Sequence, residues 1–188
     1  MSAATDAAAV VSRLVRPIPD WPRQGVVFRD ITPLLHDGAA FGASIDAIIE
    51  SAVVPGRTID RVLGVEARGF VFAAPVAFKL GAGVVPVRKA GKLPWQIEQE
   101  EYVLEYGVDL LEIHRDAVAP GERVLIVDDV LATGGTAAAT VRLVEKLGGI
   151  VEGLAFLLEL PGLGGRAALP GHRVTALASF DTAGGGAQ

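Results

Sequence analysis

The sequence predicts an α/β protein with a mostly parallel, twisted sheet that is covered by helices on both faces. From residue 61 onward, short apolar runs alternate with longer stretches of helical periodicity, the pattern of βαβ units. The 188 residues are the length of one domain. Hydrophobic residues make up 51% of the chain, with an excess of Ala and Val and only 6% aromatics, a composition typical of buried strands and close-packed helices.

The first 60 residues predict two helices separated by an extended segment. An amphipathic pattern over 7–16 predicts a helix that the following prolines end. The Pro-rich segment 18–25 is expected to be extended or looped, and 26–28 to form a short strand. Apolar residues at helical spacing predict a second helix over 39–52.

The rest of the chain supplies the sheet. Residues 88–109 show no clear periodicity and are expected to be irregular. No linker interrupts the chain, so 1–188 is predicted to be a single domain. Strands are predicted at 61–65, 83–87, 123–127, 150–158 and 174–179, and helices at 69–80 and 136–147, each followed by glycine.

Composition and charge exclude several classes of protein. Without cysteine, the chain has no disulfide scaffold, zinc–thiolate site or cysteine nucleophile, and its three histidines lack metal-ligand spacing. The longest uncharged stretch, 130–141, is shorter than the roughly 20 apolar residues of a spanning helix. With no signal-like N-terminus, a cytoplasmic protein without a membrane partner is expected. A net charge of −5 argues against a nucleic-acid partner.

The most informative segment is 124–136, VLIVDDVLATGGT. Asp128 and Asp129 stand at the end of a buried strand, where ligands of open α/β sheets bind. The glycines let the backbone approach a ligand, and the start of the next helix offers N–H groups to a phosphate. We therefore expect the two aspartates to bind the hydroxyls of a ribose 5-phosphate. The phosphate is expected to bind in a cradle formed by Ala132, Thr133, Gly134, Gly135 and Thr136.

Adjacent carboxylates beside a phosphate repel each other, and a Mg²⁺ ion nearby would offset that repulsion. The alternative is a threonine-capped turn with a solvated aspartate pair. Neither a P-loop nor a dinucleotide-binding fingerprint is present, because no GK[ST] and no GxGxxG occurs.

The segment VLIVDDVLATGGT resembles the phosphoribosyl pyrophosphate (PRPP) signature of the type I phosphoribosyltransferases. Three further blocks resemble the adenine-using members of that family, and the likeness runs from about residue 10 to 180. The blocks are PDWPRQGVVFRDITPLL at 19–35, GVEARGF at 64–70, and VPVRKAGKLP at 85–94 with LEYG at 104–107.

The resemblance implies transfer of the phosphoribosyl group of PRPP to N9 of adenine, giving AMP and pyrophosphate. It also implies a Mg²⁺ ion that is held mainly by the pyrophosphate, with Asp128 or Asp129 as its candidate protein ligand. Residues 10–35 would form a small N-terminal hood that recognises the base. Backbone groups of Val27 and Arg29 would bind adenine, with Phe28 on one ring face and Leu160 on the other. The family also implies a homodimer.

Arg68 would hold the leaving pyrophosphate, in a loop with a cis peptide at Glu66–Ala67. Three more cations, Arg88, Lys89 and Lys92, lie within five residues and are expected at the same anion, although a solvated charge cluster is the alternative.

Residues 93–109 resemble the mobile lid loop of the family, which would exclude water from the reaction. Glu105 would be catalytic, near N9 and the developing ribosyl cation, and Tyr106 would belong to the lid. Trp95 and Ile97 depart from the family pattern, where small or hydroxyl residues are usual.

Two other functions remain compatible with the cradle. One is a phosphoribosyltransferase for xanthine or guanine. The other is a PRPP-sensing regulator without catalysis, although such regulators usually carry a DNA-binding appendage and a basic surface. Arg68 and Glu105 favour an enzyme.

Overall fold

A computed structural model of the chain describes residues 3–104 and 107–181. Five helices are seen there: α1 Ala3–Leu14, α2 Thr32–His36, α3 Gly38–Ala52, α4 Gly69–Leu80 and α5 Gly135–Lys146. The strands are β1 Arg16–Pro19, β2 Val27–Asp30, β3 Arg61–Val65, β4 Gly83–Lys89, β5 Ile97–Leu104, β6 Gly107–His114, β7 Arg123–Leu131, β8 Ile150–Glu159 and β9 Val174–Ser179. Two 3₁₀ turns, Pro161–Leu163 and Gly165–Ala168, follow β8.

The strands form one large sheet and one small ribbon. The seven-stranded sheet has the order β5-β6-β4-β3-β7-β8-β9. Its five strands from β4 to β9 in that order run parallel, and β6 and β5 are antiparallel additions at the β4 edge. The prediction of a mostly parallel sheet is confirmed. Strands β1 and β2 pair with each other in a separate antiparallel ribbon, which lies within the segment 10–35 predicted to form the hood.

Helices cover both faces of the sheet, as predicted. Successive residues of β7 point to opposite faces, so Leu125 and Val127 pack with α1, α3 and α4, and Val124 and Ile126 pack on the side of α5. All four residues are fully buried. The parallel strands are apolar on both sides because both faces are covered.

The segment predicted to be irregular instead contains a hairpin, and that prediction was wrong. Strand β4 continues to Lys89, and β5 and β6 pair over their whole length. The hairpin lies against α5, whose Arg142 and Lys146 both bind Glu100 of β5. This pairing depends on contacts across the sheet edge, which local periodicity does not encode.

Near the N-terminus, α1 ends at Leu14, two residues before the predicted end, because β1 begins at Arg16. Arg16 binds Asp30 of β2 at 2.6 Å and helps to close the ribbon. Over the ranges described, none of the helices combines the length and the apolar character needed to cross a membrane.

Candidate active site

A cleft of about 490 Å³ opens at the carboxyl ends of β3, β4 and β7. Parallel strands end there together, which is the usual ligand position in such sheets. The cleft gathers residues from the ribbon, the loop after β3, the hairpin and the start of α5. They are Val26, Val27, Phe28, Arg29, Val65, Glu66, Ala67, Arg68, Lys89, Tyr102, Leu111, Asp128, Asp129, Val130, Ala132, Thr136 and Leu160.

A smaller cavity of about 80 Å³ lies beside the cleft, around residues 131–137. It contains the predicted phosphate cradle, and it shares Asp128, Val130, Ala132 and Thr136 with the main cleft. Gly134 caps α5 with φ of 81°, and no side chain caps the helix. The first N–H groups of α5 are therefore available to an anion, as the sequence predicts.

The two aspartates occupy the floor between the cleft and the cradle. Asp129 Oδ2 lies 2.7 Å from Arg68 Nε, and its side chain is only 7% exposed. Asp128 Oδ1 accepts a hydrogen bond from the Asp129 N–H at 2.9 Å. Burial raises the pKa of Asp128 well above its usual value, and the Asp129 charge raises it further. Burial also raises the pKa of Asp129, against the lowering effect of Arg68.

Arg68 lies between the β1–β2 ribbon and the aspartates. Its guanidinium lies 5.2 Å from the centroid of the Phe28 ring, in a cation–π contact, and Phe28 packs edge-on against Trp21. The Glu66–Ala67 peptide is cis, as the resemblance implies. Arg68 is thus held between an aromatic ring and a carboxylate.

The three cations of the predicted cluster pair with two different carboxylates. Lys89 lines the cleft and lies 3.6 Å from Asp109 Oδ2. Arg88 and Lys92 instead bind the carboxylate of Glu66, which itself lines the cleft. Each of the three cations is therefore paired with a protein carboxylate, and each stays partly exposed to solvent.

The ribbon exposes the backbone of the predicted base-binding residues. Pro17 and Pro19 lie opposite Arg29 and Val27, and proline has no N–H to donate. In an antiparallel ribbon only alternate residue pairs exchange backbone hydrogen bonds. The pairs Pro17–Arg29 and Pro19–Val27 therefore fit the non-hydrogen-bonded positions. The N–H and C=O groups of Val27 and Arg29 consequently point away from β1. The Arg29 side chain turns elsewhere and donates to the Asp181 carbonyl at 2.8 Å.

Sequence reasoning missed Tyr102, Asp109 and Glu66. The Tyr102 hydroxyl donates to Asp109 Oδ2 at 2.9 Å. Burial, and then the Asp109 carboxylate, raise the pKa of Tyr102 to about 12, so the hydroxyl keeps its proton. Tyr102 and Asp109 are directly opposite in the hairpin, and only the pairing of β5 with β6 could have shown this. Glu105 and Tyr106 lie outside the described residues.

Comparison with known proteins agrees with this geometry. The family model of the phosphoribosyl transferase domain matches residues 34–161. The adenine phosphoribosyltransferase of Thermobifida fusca is 57% identical over 175 residues, which are 93% of this chain and 98% of that protein. That of Acidothermus cellulolyticus is 52% identical over 172 residues, 92% of this chain and 96% of that protein.

Solved structures show the same likeness. The crystal structure of adenine phosphoribosyltransferase from Thermoanaerobacter pseudethanolicus is 51% identical, with a TM-score of 0.88 over 92% of this chain and 99% of that one. The Saccharomyces cerevisiae enzyme, solved with adenine and an imino-altritol bisphosphate, is 39% identical, with a TM-score of 0.86 over 92% of this chain and 98% of that one. The chain therefore belongs to the phosphoribosyltransferase family, in its adenine phosphoribosyltransferase branch.

Proposed function

We propose that this enzyme transfers the 5-phosphoribosyl group from PRPP to N9 of adenine, giving AMP and pyrophosphate in purine salvage. The observation that carries the proposal is the position of the cradle at the start of α5, which borders the cleft that Arg68 and Phe28 line and shares Asp128, Val130, Ala132 and Thr136 with it. Together the cleft and the cradle would offer a phosphate site, a ribose site, a cation for the leaving group and an aromatic face. Relatives named adenine phosphoribosyltransferase are 57% and 52% identical to the chain over the aligned residues.

In this reaction the bond from ribose C1 to pyrophosphate breaks, the bond from C1 to N9 forms, and N9 loses its proton. The transition state carries positive charge on the ribose and negative charge on the leaving group. Asp128 and Asp129 would bind the ribose hydroxyls and favour the positive charge, while Arg68 would hold pyrophosphate oxygens. Arg68 and Asp129 are oriented by their neighbours before substrate binds, so they need little reorganisation in the transition state.

Adenine would be selected by the backbone of the ribbon. Its N1 accepts a hydrogen bond and its N6 amino group donates one, so an N–H and a C=O from Val27 and Arg29 match it. A 6-oxopurine reverses that pattern and would leave both backbone groups unpaired, which is costly in a closed site. Phe28 and Leu160 line the same cleft and would hold the two ring faces.

Magnesium would bind with the substrate. In the described part of the chain, no group of three or more His, Cys, Asp or Glu side chains could hold a metal. The adjacent carboxylates Asp128 and Asp129 fit Mg²⁺ well, because this ion takes one or two carboxylates and completes its shell with water and phosphate oxygens. Bound there, Mg²⁺ would neutralise pyrophosphate charge.

Asp129→Asn is expected to weaken PRPP binding by about ten- to a hundred-fold, because a charge-assisted contact to ribose is lost and Arg68 loses its partner. Titration calorimetry with PRPP and Mg²⁺ measures the change. Asp46→Asn is the matched control, since Asp46 pairs with Lys79 on the protein surface. Unchanged PRPP affinity in the Asp129 variant would reject the ribose assignment.

Residues 93–109 are proposed to close over bound substrates, with Tyr106 in the lid and Glu105 near N9. Glu105→Gln is expected to lower kcat by about a hundred-fold, with a smaller change in KM, because the carboxylate acts mainly in the transition state. Glu98→Gln serves as control, since Glu98 forms a surface pair with Arg115. Steady-state kinetics with adenine and PRPP measure the change in kcat. Equal kcat values for Glu105→Gln and the wild type would remove Glu105 from the mechanism.

The function itself is tested by turnover of adenine, hypoxanthine, guanine and xanthine with PRPP. Adenine is expected to be used at least a hundred-fold better than the 6-oxopurines, on the order of the discrimination that paired backbone groups provide. Robust 6-oxopurine turnover with negligible adenine turnover would replace this proposal, and turnover of no purine would favour a PRPP-sensing regulator.

A single domain and a homodimer follow from the family likeness and are part of the proposal. The dimer is testable by sedimentation of the full chain. The cytoplasmic location and the absence of a nucleic-acid partner stay predictions.

A further inference from the structure

Each cation expected to hold pyrophosphate is paired with a carboxylate of the protein. The pairs are Arg68–Asp129, Lys89–Asp109, Arg88–Glu66 and Lys92–Glu66. Asp129 has a proposed role at the ribose, and Asp109 accepts the Tyr102 hydroxyl. Glu66 has no role in the reaction as described so far, although it binds two of the four cations.

The carboxylate of Glu66 is fully engaged by the cation cluster. Oε1 accepts from the Lys92 ammonium, and Oε2 accepts from the Lys89 backbone N–H at 3.2 Å and lies 3.4 Å from Arg88 Nε. The side chain is only 12% exposed, and it lines the cleft. Glu66 thus places a negative charge among the donors that a pyrophosphate would need.

The turn that carries these cations has a second anchor in Glu112, in addition to the hydrogen bond that Glu66 accepts from the Lys89 N–H. Glu112 of β6 is 2% exposed, and its Oε1 accepts hydrogen bonds from the Gly91 N–H at 2.9 Å and from Gln99 at 2.8 Å. Arg88 also donates to the Lys92 carbonyl at 3.0 Å. The buried Glu112 therefore holds the turn independently of the Glu66 ion pairs, and a ligand can replace Glu66 as the partner of Arg88 and Lys92.

Glu66 and a pyrophosphate anion would compete for the same cations. Both are acceptor-only anions, and their charges repel at short distance. The Lys92 and Arg88 side chains are 44% and 33% exposed, so they can move from one anion to the other.

We propose that Glu66 is an internal counter-ion of the pyrophosphate site, which holds Arg88 and Lys92 in the empty enzyme and is displaced from them by pyrophosphate. This inference rests on the proposed function and deepens it. Glu66 is a positioning residue, because it acts through the two cations. It weakens the hold on pyrophosphate and so favours release of the product.

The test is calorimetric titration of the full chain with sodium pyrophosphate in Mg²⁺ buffer. Glu66→Gln is expected to bind pyrophosphate about three- to ten-fold more tightly than the wild type, since a partly exposed ion pair no longer competes. The product inhibition constant for pyrophosphate should fall by the same factor. Glu152→Gln is the matched control, because Glu152 also bridges two cations, Arg57 and Arg123, near the amino ends of β7 and β8 and away from the cleft.

Glu66→Asp provides a second variant that keeps the charge but shortens its reach, and it is expected to tighten binding by a smaller factor. Equal or weaker pyrophosphate binding in both Glu66 variants overturns the inference. Equal tightening in Glu152→Gln also overturns it, since net charge would then explain the effect. If the wild type turns over adenine and PRPP, each of these two results overturns the inference about Glu66 but leaves the proposed function standing. A wild type without turnover or pyrophosphate binding defeats the proposed function as well.

Discussion

Arg68→Gln is expected to lower kcat/KM for PRPP by about 10²- to 10³-fold, the usual effect of removing one donor that stabilises developing negative charge. The variant loses the planar guanidinium that lies 2.7 Å from Asp129 and over the Phe28 ring. Asp129 is almost buried, so its carboxylate is left without a counter-charge. An unpaired carboxylate at this depth favours protonation and would bind ribose less well.

Steady-state kinetics at saturating adenine and varied PRPP measure this effect. Arg68→Lys should give an intermediate loss, because lysine keeps the charge but lacks the fork that binds two oxygens. Arg57→Gln should match the wild type, since Arg57 pairs with Glu152 away from the cleft. A kcat/KM for Arg68→Gln within a factor of about three of the wild type would contradict the role of Arg68 at the leaving group.

Gly134→Ala is expected to destabilise the protein by about 2–4 kcal/mol and to abolish measurable binding of ribose 5-phosphate. Gly134 has φ of 81°, and a Cβ there would lie 2.4 Å from the Gly165 carbonyl oxygen and 2.8 Å from Ala168 Cβ. The backbone after β8 therefore leaves no room for a side chain. Relief of this clash would move the first turn of α5, whose N–H groups are proposed to bind the phosphate.

Gly121→Ala isolates the backbone cost, because Gly121 has φ of 82° and no atom within 4 Å of its potential Cβ. It should cost about 1 kcal/mol and leave ribose 5-phosphate binding unchanged. Urea denaturation gives the free energies of unfolding, and calorimetry gives the binding. Similar values for the two variants would mean that close packing against Gly165 does not shape the cradle.

Several elements could be predicted closely because their signals are local. Strand β3 and helices α3 and α4 begin within one residue of the predicted positions, since apolar runs, helical spacing and terminal glycines mark them in consecutive residues. The hairpin of β5 and β6 could not be predicted in this way. Glu98, Glu100 and Glu101 make β5 look like a solvated segment, and it becomes a strand because β6 pairs with it and α5 supplies cations.

The sequence by itself determined the family, the five parallel strands of the sheet and the segment proposed to bind the phosphate, because the strand, aspartates, glycines and helix start of that segment are contiguous in 124–136. The tertiary structure alone decided how the charges are paired. Arg68 meets Asp129 because β3 and β7 are neighbours in the sheet, and Lys89 meets Asp109 because β6 returns beside β4. Consecutive residues lie close together because the chain connects them, whereas the partner of a charged side chain depends on which distant strands the fold brings together.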